Sequence, residues 1–209
     1  MLSLEKKYQT PTIKNLLDLQ RIEHEFSVKS GFDLHKEDLM KAFNEEVWEL
    51  QAEIKREKIN LLAISSEIAD VILMILGVAN FYEIDLENCL VVEEKSTINE
   101  FNFRQYIKKQ PGEKTDFFAQ AQIVLGCLTA EKIEQKILRE KLIDLFKDLL
   151  SLANFYNLPL LNIVAKKLNR NFYKYALFAQ KTSQGLSFNE ARQEVKATWN
   201  KAEDENFLR

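Results

Sequence analysis

Glycine and proline are nearly missing: five glycines and three prolines occur in 209 residues. Tight hairpins, glycine-rich phosphate loops and disordered linkers depend on these residues, so none of the three organises this chain. Histidine occurs twice, at His24 and His35, in no ExxH or HExxH arrangement, which removes zincin, HD-type and ferritin-like metal sites from consideration. The two cysteines, Cys89 and Cys127, have no CxxC neighbour and read as free core thiols, which suits the cytoplasm. No charge dominates either. The 29 Lys and Arg face 32 Asp and Glu, a net charge of −3 that gives neither nucleic acid nor an anionic membrane an electrostatic reason to bind. The longest apolar run, Ile72 to Ala79, is far short of the roughly 20 residues of a bilayer span. Met1 to Thr10 carries charges but no apolar stretch of the secretory kind.

What is present is helical periodicity. Apolar residues make up 46% and charged residues 29%, and the expected fold class is all-α, a soluble helical bundle in one domain over 1–209. Thr10-Pro11 reads as a cap and first-turn proline opening a helix that contains Leu16, Leu19, Ile22 and Phe26 and stops near Gly31. Leu39, Phe43, Val47, Leu50 and Ile54 form the seam of a second helix running to about Lys58. A third begins near Leu61, and Ile64, Ile68, Val71, Ile75, Val78 and Tyr82 share one stripe while Ile72, Leu76 and Ala79 fill another. Its later turns belong in the core. A polar, amphipathic stretch follows to Gln110. Pro111-Gly112 is the clearest internal break, and helices are expected over about 115–131, 136–156, 159–181 and 187–204, with Ser187 and Glu190 as a capping box.

A repeat runs through the chain at an offset of 74 residues. Ala79-Asn80-Phe81-Tyr82 recurs as Ala153-Asn154-Phe155-Tyr156, and Glu57-Lys58-Ile59 as Glu131-Lys132-Ile133. Phe43, Asp70, Leu86 and Asn88 match Phe117, Asp144, Leu160 and Asn162 without a gap. Matches at Asn, Tyr and Asp go beyond what shared apolar periodicity produces, so two related helical hairpins are expected, repeat 1 over about 36–110 and repeat 2 over about 113–205. Asn80 and Asn154, each a polar residue late in an apolar helix, read as structural hydrogen-bonding groups. Trp48, Phe81 and Tyr82 could stack on a base, but aromatics on helical seams more often pack cores.

The chemistry lies in the acids. Glu46 and Glu49 are three apart on the second helix, and Glu67 and Asp70 repeat that spacing on the third. A hairpin turning near residue 58 sets both pairs at one height, roughly 15 Å from the turn at about 1.5 Å per residue. Carboxylates clustered beside apolar seams repel one another and lose hydration, and a hard divalent cation offsets both costs. Oxygen ligands without His or Cys select Mg²⁺ or Mn²⁺, ions that commonly serve phosphoryl and nucleotidyl transfer.

Glu46-Val47-Trp48-Glu49-Leu50, Glu67-Ile68-Ala69-Asp70-Val71-Ile72 and Glu83-Ile84-Asp85-Leu86-Glu87 resemble the ExxE…ExxD pattern of the all-α nucleoside triphosphate pyrophosphohydrolases, the group of MazG proteins, dimeric dUTPases and phosphoribosyl-ATP pyrophosphohydrolases. The resemblance covers about 36–104. It continues more faintly through Lys166-Lys167-Leu168-Asn169-Arg170 and the closing Leu186 to Ala202, with Trp199, which resemble the basic helix and Trp-containing tail of longer MazG domains. It implies a MazG-like bundle in which Glu46, Glu49, Glu67 and Asp70 hold Mg²⁺ while water attacks a nucleoside triphosphate, giving the monophosphate and pyrophosphate. Glu45 and Glu53 would be outer, water-orienting groups.

The resemblance also places phosphate contacts on the following helix, where Lys95 and Asn99 stand here with Arg104 nearby; the usual Arg after Lys95 is missing. In repeat 2 the four acids become Gln120, Ile123, Lys141 and Asp144, so it is expected to bind no metal. Its basic residues Lys166, Lys167, Arg170 and Lys174, with Lys166 and Arg170 foremost, would then supply either charge for the triphosphate or only a solvated face. The expected partner is a nucleoside triphosphate, with house-cleaning of the nucleotide pool as the role and a homodimer as one assembly. The alternative is a non-catalytic nucleotide-sensing or protein-interaction module on the same fold.

Overall fold

The computed structural model describes residues 15–30, 35–187, 190–191 and 193–195. Every regular element among them is helical. Eight helices follow in order: α1 Leu16–Ser30, α2 Lys36–Ile54, α3 Leu61–Phe81, α4 Leu86–Glu93, α5 Phe103–Lys109, α6 Phe117–Thr129, α7 Gln135–Phe155 and α8 Leu160–Ser183. Contacts divide the chain into two compact units, Ile13–Val164 and Met1–Thr12 with Ala165–Arg209.

Within Ile13–Val164 two antiparallel hairpins form the core, α2 against α3 and α6 against α7. The α3 and α7 helices pack on each other, as do α2 and α6, while α1 lies on α3 and α4, and α4 on α7. Gln135 Nε2 donates to the Tyr82 carbonyl at 3.4 Å, which sets the end of α3 beside the start of α7. Each hairpin centres on a fully buried phenylalanine, Phe43 in α2 and Phe146 in α7, and Phe103 of α5 stacks on Phe146 with ring centroids 6.1 Å apart.

The seam read on α2 is buried at Leu39, Phe43, Val47 and Leu50. That helix stops at Ile54, four residues before the expected Lys58, because no apolar residue continues the seam and Lys55 closes the helix by donating to the Gln51 carbonyl. Asn60 opens α3 by accepting from the N–H groups of Leu62 and Ala63 at 3.2 and 3.3 Å. The short apolar run seen in the sequence is only the middle of α3. The whole 21-residue helix is long and apolar enough to cross a bilayer, and most of it is instead buried inside this unit.

The expected cap at Thr10-Pro11 and the stop at Gly31 lie outside the described residues, as does Trp199. Among those described, α1 starts later than expected, at Leu16, where Asn15 Oδ1 accepts from the Asp18 N–H at 2.8 Å. Glu87 completes that end from α4: its carboxylate accepts from the backbone N–H groups of Leu16 at 2.7 Å and Leu17 at 3.1 Å. One buried carboxylate thus satisfies two otherwise orphaned donors at a helix N-terminus, where the helix dipole also favours it.

Glycine scarcity leaves a mark on helix ends. Glu83, Lys95 and Asn157 take φ of +55°, +52° and +52°, the left-handed conformation that glycine usually supplies after a helix. After α3, Ile84 N–H donates to Ala79 O at 2.8 Å and Glu83 N–H to Asn80 O at 3.2 Å. After α7, Leu158 N–H donates to Ala153 O at 2.9 Å and Asn157 N–H to Asn154 O at 3.0 Å. These are the same two bonds, 74 residues apart. The boundaries of α3 and α7 and the starts of α4 and α8 obey that offset as well.

In the unit containing Ala165–Arg209, the expected capping box is present. Ser187 N–H and Oγ donate to Glu190 Oε2 at 2.9 and 2.6 Å, and Glu190 N–H donates back to Ser187 Oγ at 3.4 Å. The exposed Glu190 carboxyl is held below its usual range by these bonds.

Candidate metal centre

The α2 face that meets α3 carries the acids. Leu50 and Val47 turn inward, which leaves Glu46 half-buried and Glu49 exposed at the flank of the same helix. Across the hairpin, Ile64 and Ile68 are buried and Glu67 is half-buried between them. Carboxylate oxygens of Glu46, Glu49 and Glu67 lie within 4.8 Å of one another. Two unit charges at that distance repel by about 1 kcal/mol in water and about 3.5 kcal/mol at an effective dielectric of 20. Metal–oxygen bonds of about 2.1 Å need ligand oxygens about 3–4 Å apart, so modest side-chain adjustment closes the triplet around a hard divalent ion. An all-carboxylate donor set fits Mg²⁺ or Mn²⁺.

Asp70 lies outside this 4.8 Å triplet. It stands one turn beyond Glu67, about 4.5 Å along α3, with a side chain one methylene shorter. Matched spacing puts the two pairs on facing stripes, but side-chain reach decides which oxygens meet. Glu53, one turn beyond Glu49, has its Oε1 held by Arg56 at 2.8 Å, while its Oε2 is buried with no hydrogen-bond partner among the described residues. Glu45 is exposed.

The Lys95 and Asn99 positions also differ from expectation. The helix after α3 ends at Glu93, and Lys95 occupies the left-handed residue beyond it, so Lys95 and Asn99 share no helix face. Lys95 N–H donates to Val92 O and Ser96 N–H to Val91 O, closing α4 where a longer helix would have carried both side chains. Arg104 lies in the first turn of α5. Lys166, Lys167, Arg170 and Lys174 lie on α8 within the Ala165–Arg209 unit, whereas the carboxylates belong to Ile13–Val164.

At the matching positions of the second hairpin the acid cluster is gone. Lys141 and Asp144 form an ion pair at 2.9 Å, and that partner raises the Lys141 pKa. Ile123 is exposed, and Gln120 Oε1 is buried with no partner among the described residues. Asn80 and Asn154 both act as structural donors, as expected. Asn80 Nδ2 bonds the Gln20 carbonyl at 3.1 Å and Glu23 Oε2 at 2.6 Å; Asn154 Nδ2 bonds the carbonyls of Ile107 and Gln110 at 2.8 and 2.9 Å. Trp48 is 53% exposed and meets Phe118 of α6 edge to face at 4.7 Å, so it is a surface residue rather than core.

Charge order in the sequence did not single out Glu23, Gln20 or Glu87. All three are buried and hold α1 in place: Glu23 accepts from Asn80 of α3 at 2.6 Å, Gln20 Nε2 donates to Ile84 O at 2.7 Å, and Gln20 Oε1 accepts from Leu86 N–H at 3.3 Å. No match was found to the chain among protein-family models, curated proteins or solved structures.

Proposed function

We propose that this chain is a Mg²⁺-dependent nucleoside triphosphate pyrophosphohydrolase of the MazG-like kind, releasing pyrophosphate and a nucleoside monophosphate in nucleotide house-cleaning. The observation that carries the reading is the meeting of Glu46, Glu49 and Glu67 across the α2–α3 hairpin. These three would hold Mg²⁺ or Mn²⁺, with Asp70 on the adjoining turn of the same face. A bound ion of this kind supplies Lewis-acid polarisation of phosphate and a more acidic water. The carboxylates fix where the phosphate chain lies, and the apolar seams behind them exclude bulk water from one side. Glu45 and Glu53 are the candidates for orienting the attacking water.

The same proposal includes an internal duplication, supported by the coincident boundaries of α3 and α7 and their matched closing bonds. One copy would keep the metal and the other, with Lys141 in place of an acid, would serve packing. Lys166 and Arg170, with Lys95 and Asn99, remain candidates for phosphate contact. A cytoplasmic setting and either a single chain or a homodimer go with this reading.

Incubation with a panel of canonical and modified nucleoside triphosphates plus Mg²⁺, read as pyrophosphate release, is the direct test. Release that disappears in Glu67→Ala supports it; no release from the wild type, or equal release from the variant, sinks it. A second reading, a non-catalytic nucleotide sensor on the same fold, is favoured by the separation of Lys95 and Asn99 from any common helix face. Under that reading triphosphate binds without pyrophosphate release.

A further inference from the structure

A triphosphate brought to three carboxylates needs more positive charge than one divalent ion carries, and the usual arginine after Lys95 is missing from this sequence. The α2–α3 hairpin holds another cation. Glu46, Glu49 and Glu53 recur three and four residues apart on one stripe of α2, and Arg56, just past the end of that helix, folds its guanidinium back onto Glu53 at 2.8 Å. The Arg56 side chain is 59% exposed, whereas that of Glu53 is 13% exposed, so the pair is buried on its acid side and open to water on its arginine side. Glu53, which holds the guanidinium, sits about 6 Å along the helix from Glu49, one turn from the nearest residue of the triplet. The water-facing side of the guanidinium is open to exchange, and a guanidinium fork matches phosphate oxygens as well as carboxylate oxygens.

We propose that Arg56 is the phosphate-binding residue of this site, held on Glu53 beside the metal cluster and transferred to the phosphate chain when a triphosphate binds. The assignment rests on the reading of Glu46, Glu49 and Glu67 as a metal centre. Glu53 is its positioning residue: it keeps the guanidinium on the metal-bearing stripe, and its hold is traded for a bond to phosphate.

Calorimetric titration with Mn²⁺ alone, and then with inorganic tripolyphosphate in the presence of Mn²⁺, separates the two layers and needs no knowledge of the base. Wild type and Arg56→Gln bind Mn²⁺ alike, whereas Arg56→Gln loses about tenfold in tripolyphosphate affinity and Arg56→Lys recovers part of it. Glu53→Gln, which releases the guanidinium, tightens tripolyphosphate severalfold. With a nucleoside triphosphate that is turned over, Arg56→Gln raises KM and changes kcat little. Arg56→Gln that binds Mn²⁺ and tripolyphosphate as the wild type does overturns the assignment to Arg56. Failure of the wild type to bind Mn²⁺ overturns the metal-centre reading itself, and the assignment with it.

Discussion

The two antiparallel hairpins of this chain, α2–α3 and α6–α7, close in the same way and differ in the charged side chains at matching positions. In α2–α3 the carboxylate oxygens of Glu46, Glu49 and Glu67 lie within 4.8 Å of one another; in α6–α7 the position matching Glu67 is Lys141, bonded to Asp144 at 2.9 Å. One half thus gathers like charges where the other sets an ammonium beside a carboxylate. The backbone closes alike in both after the second helix, so the difference between them lies in the side chains. The closing bonds and the 21-residue length of α3 and α7 are shared, and Asn80 and Asn154 each donate from Nδ2, whereas α2 has 19 residues and α6 has 13.

The largest expected effect tests that contrast directly. Glu67→Gln removes a member of the triplet and lowers Mn²⁺ affinity by about a hundredfold, the upper end of what loss of a mere outer-shell partner costs, while Asp144→Asn leaves Mn²⁺ binding unchanged; titration calorimetry reads both. Equal losses from the two substitutions would break the comparison.

Asn80→Ala and Asn154→Ala come next, each stripping two acceptors of their donor and costing about 2–3 kcal/mol of unfolding free energy in urea. The first costs more, because one acceptor it abandons is the Glu23 carboxylate. That carboxylate makes a further distinction. Burial raises the Glu23 pKa above the ordinary value of 4.5, against the lowering effect of hydrogen bonds from Ser27 and Asn80. The folded state therefore holds this proton more tightly than the unfolded chain does. Its stabilising contribution is complete below the unfolded value and is lost as pH rises through the folded one. Asn154 faces only carbonyls and contributes no such dependence. Urea titrations from pH 4 upward are expected to show this loss in the wild type and not in Glu23→Gln; an identical slope in both assigns it to another group.

The smallest effects are at the helix ends. Glu83→Gly relieves a left-handed non-glycine residue and raises stability by about 1 kcal/mol, and Asn157→Gly by a few tenths, since asparagine tolerates that conformation better. A shift of the denaturation midpoint in urea checks each, and a destabilised Glu83→Gly variant would show that the Glu83 side chain does more than occupy the turn.

Much of this architecture was legible before any coordinates. Seams such as Leu39, Phe43, Val47 and Leu50 have one way to face a core, and the spacing of Glu46, Glu49 and Glu67 predicted their convergence once the turn was placed. The capping box at Ser187 and Glu190 is local chemistry and reads directly. Which of the four acids stand closest was not legible, because a stripe specifies direction but not reach. Lys95 and Asn99 were misplaced because helix length there depends on where α4 closes, and a lysine in the left-handed position gives no sign of itself in sequence.

Sequence by itself determined the helical class, the hairpin order, the 74-residue offset and the acid-bearing faces, since each follows from periodicity within one or two helices. Tertiary structure alone decided which three oxygens meet and that Glu23 and Glu87 pin α1 from inside. Those features depend on distances between segments remote in the chain, and no local pattern encodes them.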